Sequence, residues 1–303
     1  MGRKRAWFLN FDADDELARP AGYTPSRAQL ARFDALARHV RALLRPGDVV
    51  LPEGAISGMH AEFIGVAWCP TPRAQRALRA SGARLPPSPA LEVLRAVNHR
   101  SFSAALGQTL PGACFARSIE EVTAALAGPS PTGQWLLKRP FGYAGRGRLK
   151  VEPSRAGDLA RAQAWIEASL RSGEGLQVEP FVERLGDFAL HGHLRPSGEV
   201  TLGEPTRQEC DATGAWVGSA RAEASDVSPG EREALFEQAS LAAAALHRAG
   251  YFGPFGIDAF RHLDAAGGAR WNPRGEINAR YSMGWAIGMG DLRPDIEEDE
   301  LVR

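Results

Sequence analysis

Hydrophobic and polar residues follow two different periods along the first ninety positions. Short apolar runs at residues 6–11, 48–51 and 63–68 have the length of buried strands. Between the first two runs, residues 26–44 place an apolar side chain at every third or fourth position, which predicts an amphipathic helix. Strands that alternate with helices are typical of a parallel sheet covered on both faces. The pattern predicts an α/β domain over residues 1–90.

A proline-rich segment separates this region from the next. Residues 85–89 contain three prolines, which stiffen an extended backbone and oppose both helix and central strand. We therefore expect a domain boundary near residue 90. Beyond it, the pattern predicts helices at 91–106, 119–127 and 155–170, and strands at 113–116, 135–138 and 148–151. These elements form a second unit over residues 91–175.

The pattern over the last part of the chain, residues 176–303, predicts strands that pair antiparallel to one another. The predicted strands are 176–181, 188–194, 199–203, 251–262 and 269–281, with a helix at 229–249. Ser228 and Glu231 form a capping box before this helix, and a Gly-Gly turn joins the last two strands. The fold class is therefore α/β and α+β, with a parallel N-terminal sheet followed by antiparallel sheets.

Composition narrows the functional classes. Thirty-six basic and thirty-six acidic residues cancel, which argues against a dedicated nucleic-acid-binding protein. No apolar stretch is long enough for a membrane span, and three widely spaced cysteines fit a reducing cytoplasm. Only three of the basic residues are lysines, so a lysine in this chain is a candidate for a specific role.

One of these lysines stands beside a glycine-rich loop. Lys138 ends an apolar strand, and Gly142, Gly145 and Gly147 follow it before the next strand begins. Glycines let backbone amides approach a polyphosphate without interference from a Cβ atom, and the ammonium group adds a compact positive charge. A mobile hairpin with a solvated lysine is the equal alternative for this segment alone.

The last two strands carry a set of polar residues between apolar ones. Glu276, Asn278 and Arg280 alternate along one strand face, and Asp258 has the same setting on the preceding strand. Two carboxylates and an amide oxygen suit one or two Mg²⁺ ions shared with nucleotide phosphates. Arg280 could then stabilise charge on a phosphoryl group. A polar outer face with a Glu–Arg surface pair is the alternative, and it is favoured for one strand in isolation.

The strand at 176–181 ends in acidic residues beside phenylalanine and valine. Such a strand could hold a purine against its backbone edge while a carboxylate accepts hydrogen bonds from ribose hydroxyls. By itself it is only a strand that leaves the core. In this order and spacing, however, the three pieces resemble the ATP-grasp superfamily, over about residues 91 to 290.

The resemblance implies a nucleotide held between two lobes, with residues 142–147 as a lid over the phosphates. It implies that ATP is bound by Lys138, by Glu179, Phe181 and Val182 at the adenine hinge, and by Glu183 or Asp187 at the ribose. The implied Mg²⁺ ligands, which could also take Mn²⁺, are Asp258, Glu276 and Asn278, with Arg280 as a catalytic residue. Arg100 stands where the family commonly has an earlier phosphate-binding lysine.

Other polar residues support weaker hypotheses. Arg207 lies on a segment that in this fold can reach the γ-phosphate, so it is a catalytic candidate, with a surface arginine as the equal alternative. For His191 and His193, a structural or exposed role is favoured over metal binding. A solvated loop is favoured for Asp12, Asp14 and Asp15, although ligands often bind at that end of an α/β sheet.

The resemblance implies an ATP-dependent ligase that joins a carboxylate to an amine through an acyl phosphate and releases ADP and phosphate. Its partners would be small-molecule or peptide substrates rather than nucleic acid or membrane, and a homodimer is compatible with it. A kinase on the same fold and a non-catalytic nucleotide-binding protein are the alternatives.

Overall fold

The computed structural model describes residues 3–54, 58–107, 110–142, 145–155, 157–210 and 216–301, with the side chains of residues 210 and 298–301 left out. Its strands are β1 Arg5–Phe8, β2 Val49–Val50, β3 Ile64–Ala67, β4 Cys114–Ala116, β5 Trp135–Lys138, β6 Arg148–Val151, β7 Leu176–Pro180, β8 Arg184–Leu194, β9 Val200–Leu202, β10 Thr206–Cys210, β11 Trp216–Arg221, β12 Gly253–Leu263 and β13 Ala269–Asn278. Its helices are α1 Ala13–Ala18, α2 Arg27–His39, α3 Pro72–Ala80, α4 Leu91–Asn98, α5 Arg100–Ala105, α6 Ile119–Leu126, α7 Asp158–Leu170, α8 Pro229–Arg248, α9 Trp285–Met289 and α10 Pro294–Leu301. None of the described helices is long and apolar enough to cross a membrane.

The N-terminal sheet has three parallel strands in the order β2-β1-β3, which confirms the predicted sheet type. β1 is shorter than its apolar run. At Asn10 the backbone hydrogen bonds of the sheet give way to hydrogen bonds made by the Asn10 side chain. The Asn10 amide donates to the Cys69 carbonyl oxygen and the Thr71 hydroxyl, each at 2.9 Å. The chain therefore leaves the sheet after Phe8 and turns into α1.

Asp12, Asp14 and Asp15, which follow β1, do not lie in a solvated loop, so that expectation is corrected. Asp12 is buried just before α1, and Glu16 is buried within it. Both carboxylates form ion pairs with Arg73. Glu16 accepts hydrogen bonds from the Thr71 hydroxyl at 2.6 Å and from the Arg73 amide at 2.8 Å. Glu16 thus satisfies the amino-terminal end of α3, and this pairing offsets the cost of burying its charge.

A four-stranded antiparallel sheet follows in the order β4-β7-β5-β6. β5 and β6 have the bounds that the apolar pattern predicts. Helices α6 and α7 cover this sheet, and Ile166 packs there on a buried cluster with Trp135, Leu137 and Val178. The antiparallel pairing places Lys138 at one end of β5 and leads directly into the glycine-rich loop.

The helix predicted over residues 91–106 is two helices. His99 has an extended backbone, with φ −75° and ψ 131°, and its ring nitrogen accepts a hydrogen bond from the Ser101 amide at 3.2 Å. His99 therefore caps α5, which begins at Arg100. The break turns the first residue of α5 toward the cleft between the sheets.

The C-terminal sheet runs β11-β10-β8-β12-β13, with β9 paired to β8. Its strands β10 and β11 were not predicted, because their sequences are polar and lack an apolar alternation. Helix α8 covers this sheet with fully buried Leu235, Ala239 and Leu246. The same apolar core includes Trp7 and Phe11, so the N-terminal sheet packs on the C-terminal one. The domain boundaries near residues 90 and 175 stay predictions.

Helix α8 begins with the predicted capping box, in which Ser228 and Glu231 exchange hydrogen bonds. Replacing Ser228 by Ala leaves the Glu231 amide without its side-chain acceptor. We expect the free energy of unfolding to fall by about 1 kcal/mol in urea titrations. Ser240→Ala in the same helix is the control, because Ser240 bonds only back to the Phe236 carbonyl. An equal loss in both variants would contradict the capping role.

Candidate functional site

Two acidic side chains meet where β12 and β13 pair. The register places Asp258 directly opposite Glu276. Asp258 accepts one hydrogen bond from the Asn278 amide and one from the Gln208 amide, both at 3.1 Å. The ladder shifts between Asp258 and Phe260, so strict alternation along β13 ends there. Three of the proposed metal-site residues therefore lie together with Gln208, which sequence reasoning missed.

Burial and charge act differently on the two acids. Burial raises the pKa of Asp258 to about 6, and the negative charge of Glu276 adds to this effect. Burial also raises the pKa of Glu276, but the positive charges of Arg100, Lys138 and Arg280 outweigh it, so the net shift is downward. The two carboxylates therefore lie close to each other and are surrounded by positively charged side chains.

Arg280 connects this pair to helix α1 of the N-terminal region. Its Nη1 donates to the Asn278 Oδ1 at 2.5 Å, and its Nη2 donates to the Asp14 Oδ2 at 2.6 Å. Burial lowers the pKa of Arg280, but the carboxylate of Asp14 more than offsets this, so the net shift is upward. The guanidinium therefore stays charged although its side chain is only 11% exposed.

Across the cleft, Lys138 and Arg100 supply the positive charge. The ammonium group of Lys138 pairs with the carboxylate of Glu179 on the neighbouring strand β7. Arg100 donates to Glu276 at 2.9 Å and also to the Arg139 carbonyl oxygen. The buried Nε of Arg100 has no hydrogen-bond partner among the described residues.

The glycine-rich loop has the backbone that its sequence predicts at the described positions. Gly145 and Gly147 have φ values of 76° and 69°, which favour glycine. A Cβ atom on Gly142 would lie 2.7 Å from the Arg146 carbonyl oxygen. Residues 143 and 144 of the predicted lid lie outside the described residues.

The proposed hinge is only partly open to a ligand. The Phe181 amide donates to the Gln134 carbonyl oxygen at 2.8 Å, and the Phe181 carbonyl accepts from the Thr132 hydroxyl at 2.7 Å. Val182 is buried in a small cluster with Leu110, Ala113 and Phe260. Neither Phe181 nor Val182 is among the described residues that line the two cavities of the site, so their contacts with a base stay a prediction.

The structure separates the two candidates for a ribose contact. Glu183 is exposed, and its carbonyl oxygen accepts from the Leu263 amide at 3.0 Å. Asp187 is half-buried, lines the cleft and pairs with Arg184. The guanidinium of Arg184 lies 4.1 Å from the ring centroid of Phe260. Of the two acids, Asp187 therefore faces the cleft.

Arg207 does not reach this site, and the expectation for it is corrected. On β10, Gln208 points to Asp258, so Arg207 and Glu209 project from the opposite face. Arg207 is exposed and lies 3.9 Å from the carboxylate of Glu209. An exposed pair of this kind contributes little. The strand alternation places Gln208, not Arg207, at the acids.

His191 is a buried structural residue, as favoured from the sequence. Its Nδ1 lies 3.0 Å from the Ser282 hydroxyl, and its Nε2 lies 3.3 Å from the Thr206 hydroxyl. Burial lowers the pKa of His191 to about 3, so the ring is neutral near pH 7. A Cβ on Gly256, Gly284 or Gly288 would lie 2.7 to 2.9 Å from ring atoms. His193 is also buried, with a pKa lowered to about 4 by burial.

The site lies in two neighbouring cavities of about 310 and 240 Å³, which share the lining residues Arg100, Lys138, Gly275 and Glu276. A larger cavity, about 550 Å³, lies beside the proline-rich segment and also touches Arg280. Volume alone does not locate the chemistry. The charges of Arg5 and Asp295 in the larger cavity pair with each other at 2.8 Å, whereas the smaller cavities gather the acids, the lysine and the glycine-rich loop.

Two contributors were missed from the sequence. Asp14 is separated from Arg280 by 266 residues, so only the fold brings them together. Its position at the end of the first strand was the available signal. Gln208 lies on a strand that the pattern did not predict.

No protein-family model matches the chain, and no curated protein matches its sequence. Solved structures do match. A D-alanyl-alanine synthetase A from Vibrio cholerae is 14% identical, with a TM-score of 0.54, covering 100% of this chain and 95% of that one. A biotin carboxylase–ATP complex from Campylobacter jejuni is 12% identical, with a TM-score of 0.57 and coverages of 94% and 67%.

A third match is the biotin carboxylase domain dimer of 2-oxoglutarate carboxylase from Hydrogenobacter thermophilus, solved with MgADP, ADP and bicarbonate. It is 13% identical, with a TM-score of 0.51 and coverages of 93% and 65%. These likenesses establish the fold. The chain has the ATP-grasp fold, as its motifs suggested.

The Asp14–Arg280 pair is testable through stability. Asp14→Asn leaves a buried guanidinium without its carboxylate, so we expect the free energy of unfolding to fall by about 3 kcal/mol in urea titrations. Glu199→Gln is the matched control, because Glu199 pairs with Arg195 at the surface. That change should cost less than about 1 kcal/mol. Equal effects would mean that the buried pair contributes no more than the exposed one.

Proposed function

We propose that the chain is an ATP- and Mg²⁺-dependent ligase that joins a carboxylate to an amine. The observation that carries the proposal is a pair of neighbouring cavities that share Arg100, Lys138 and Glu276 and so bring two cations beside an acid pair and Arg280. The fold supports it, because the three similar structures described above are a synthetase and two carboxylase proteins, and both carboxylases were solved with adenine nucleotides.

In this proposal the nucleotide lies across the shared part of the cavities. Lys138 and Arg100 contact its phosphates, with backbone amides around Gly142, Gly145 and Gly147. Glu179 and Val182 contact the base, with Phe181 supporting the hinge, and Asp187 contacts the ribose. Lys138 must then exchange its present partner, Glu179, for a phosphate oxygen.

The proposed metal ligands are Asp258, Glu276 and Asn278. They fit a hard divalent cation because two opposed carboxylates and an amide are oxygen donors, and a cation between them would relieve their mutual repulsion. When bound, Mg²⁺ or Mn²⁺ would neutralise charge on the phosphates. Gln208 and Asn278 orient Asp258 by donating to its two oxygens.

The proposed reaction has two steps. A carboxylate oxygen of the substrate attacks the γ-phosphorus of ATP, the bond to the bridging oxygen breaks, and ADP leaves. The amine then attacks the acyl carbon, phosphate leaves, and the nitrogen loses a proton. Arg280 stabilises the negative charge that develops on the transferred group, and the glycine-rich loop excludes water from the acyl phosphate.

Hydroxylamine provides the direct test, because it captures an acyl phosphate as a stable hydroxamate. We expect ADP and hydroxamate to form in equal amounts when the protein, MgATP, hydroxylamine and a carboxylate are all present. A phosphorylated product that is stable to hydroxylamine would instead indicate a kinase. If MgATP binds but a broad acid panel yields no ADP, the chain is a nucleotide-binding protein without ligase activity.

Lys138 tests the nucleotide assignment separately from turnover. Lys138→Met removes the compact charge from the proposed phosphate site, so we expect the dissociation constant for ADP, measured by calorimetry, to rise at least about tenfold. Lys4→Met is the control, because Lys4 is an exposed residue beside Gly47 on the N-terminal sheet. Unchanged ADP affinity in Lys138→Met would remove this residue from the proposed site.

A further inference from the structure

The 310 Å³ cavity has a second part beyond the proposed nucleotide contacts, where the N-terminal sheet meets the C-terminal one. We call this part the acceptor compartment. Its apolar wall consists of Phe11, Phe33, Leu36, Trp68, Trp216 and Met283. These side chains come from five separate regions of the chain, so the wall exists only in the folded protein.

Three aromatic rings form the back of this wall. The Phe11 and Trp68 ring centroids are 4.8 Å apart, and the Phe11 and Phe33 centroids are 5.7 Å apart, both edge to face. Phe11 and Trp68 are only 5% and 4% exposed. Because they pack on each other and on the core, they present a fixed apolar surface rather than a mobile one.

Phe33 and Leu36 complete the wall from helix α2. Both are half-buried, lie three residues apart on one helix face and contact the main core cluster. The adjoining lining residue, Met283, follows Arg280 in the loop that His191 supports through Ser282. The apolar surface therefore extends up to the guanidinium that we place at the reacting group.

The charges around the compartment are unequal. Arg32 is the one charged residue among the described residues of the N-terminal region that line the compartment. Arg280 lies where the compartment meets the acid pair. The acids that line the cavity, Asp187, Asp258 and Glu276, belong to the proposed nucleotide and metal side. Asp14 is engaged with Arg280. The compartment thus combines an apolar wall with cations and no acid of its own among the described residues.

We propose that the carboxylate substrate is a monocarboxylic acid with an aromatic or branched apolar body. This inference rests on the proposed ligase function. The carboxylate points inward to Arg280 and the transferred phosphoryl group, and the apolar body lies against the rings of Phe11, Phe33 and Trp68. A small acid would bury little apolar surface, and a second carboxylate would lose water against this wall with only the exposed Arg32 to offset the loss, so small and dicarboxylic acids are poor substrates.

Turnover of matched acids tests the preference. With hydroxylamine and MgATP, we compare acetate, succinate, isovalerate and 3-phenylpropionate by the kcat/KM for hydroxamate formation. Burial of the phenyl ring should favour 3-phenylpropionate over acetate by about 10- to 100-fold, with isovalerate between them and succinate no better than acetate. If acetate or succinate reacts as well as 3-phenylpropionate, the inference is overturned while the ligase function stands.

Matched leucine variants connect the preference to the wall. Leu36→Ser should reduce the advantage of 3-phenylpropionate over acetate by about tenfold, because it removes apolar surface from the wall. Leu30→Ser is the control, because Leu30 is half-buried on the same helix but does not line the cavity. If Leu36→Ser does not fold, Met283→Gln makes the same test from the other side. An unchanged preference in the folded variant contradicts the inference.

A binding measurement separates the two proposals. With ADP and Mg²⁺ present, 3-phenylpropionate should alter the tryptophan fluorescence of the protein, because Trp68 and Trp216 line the compartment, and Leu36→Ser should weaken this binding. The same binding without any hydroxamate would overturn the ligase function and support the apolar compartment. No saturable binding of 3-phenylpropionate, together with turnover of acetate, would overturn the compartment alone.

Discussion

The short segment that follows β13 is the junction on which the site depends. Arg280 forms its buried ion pair with Asp14 of α1 at 2.6 Å, and its neighbours bond to two further parts of the chain. The Ala279 amide donates to the Asn98 side chain at 2.9 Å, and the Tyr281 amide donates to the Trp68 carbonyl oxygen at 3.1 Å. Three consecutive residues thus join the end of β13 to α1, α4 and the end of β3. The position of the Arg280 guanidinium is fixed by these bonds rather than by its own flexible side chain.

The ion pair also explains why a charged group can be kept in this junction. A buried guanidinium without a carboxylate would lose much of its hydration without compensation. Asp14 supplies that compensation from α1, while Asn278 links the same guanidinium to the acids of the site. The N-terminal region is therefore part of the electrostatics of the proposed site. Through Phe11, α2 and Trp68 it also provides most of the apolar wall on which the proposed substrate rests.

The sequence predicted those features that depend on neighbouring residues. β5 and β6 could be placed because their apolar runs are bounded by polar and glycine-rich segments, and α8 could be placed because Ser228 and Glu231 mark its start. The alternation around Asp258 and Glu276 indicated that these acids share a site. Features that depend on distant contacts could not be predicted in this way. The burial of Asp14 and the use of Gln208 instead of Arg207 are decided by partners elsewhere in the fold. At the break beside His99, the Arg100 amide donates to the distant Pro140 carbonyl oxygen at 3.1 Å.

His191 has a consequence for how this chain can vary. Its ring occupies the space that side chains would need at Gly256, Gly284 and Gly288, which lie on β12, on the loop after Met283 and in α9. The residue types at these four positions therefore depend on one another. A larger residue at any of the three glycines requires a smaller one at position 191. In related chains we expect these positions to change together, so that their joint identity records which side chain fills the space beneath the Ser282–Gly284 loop.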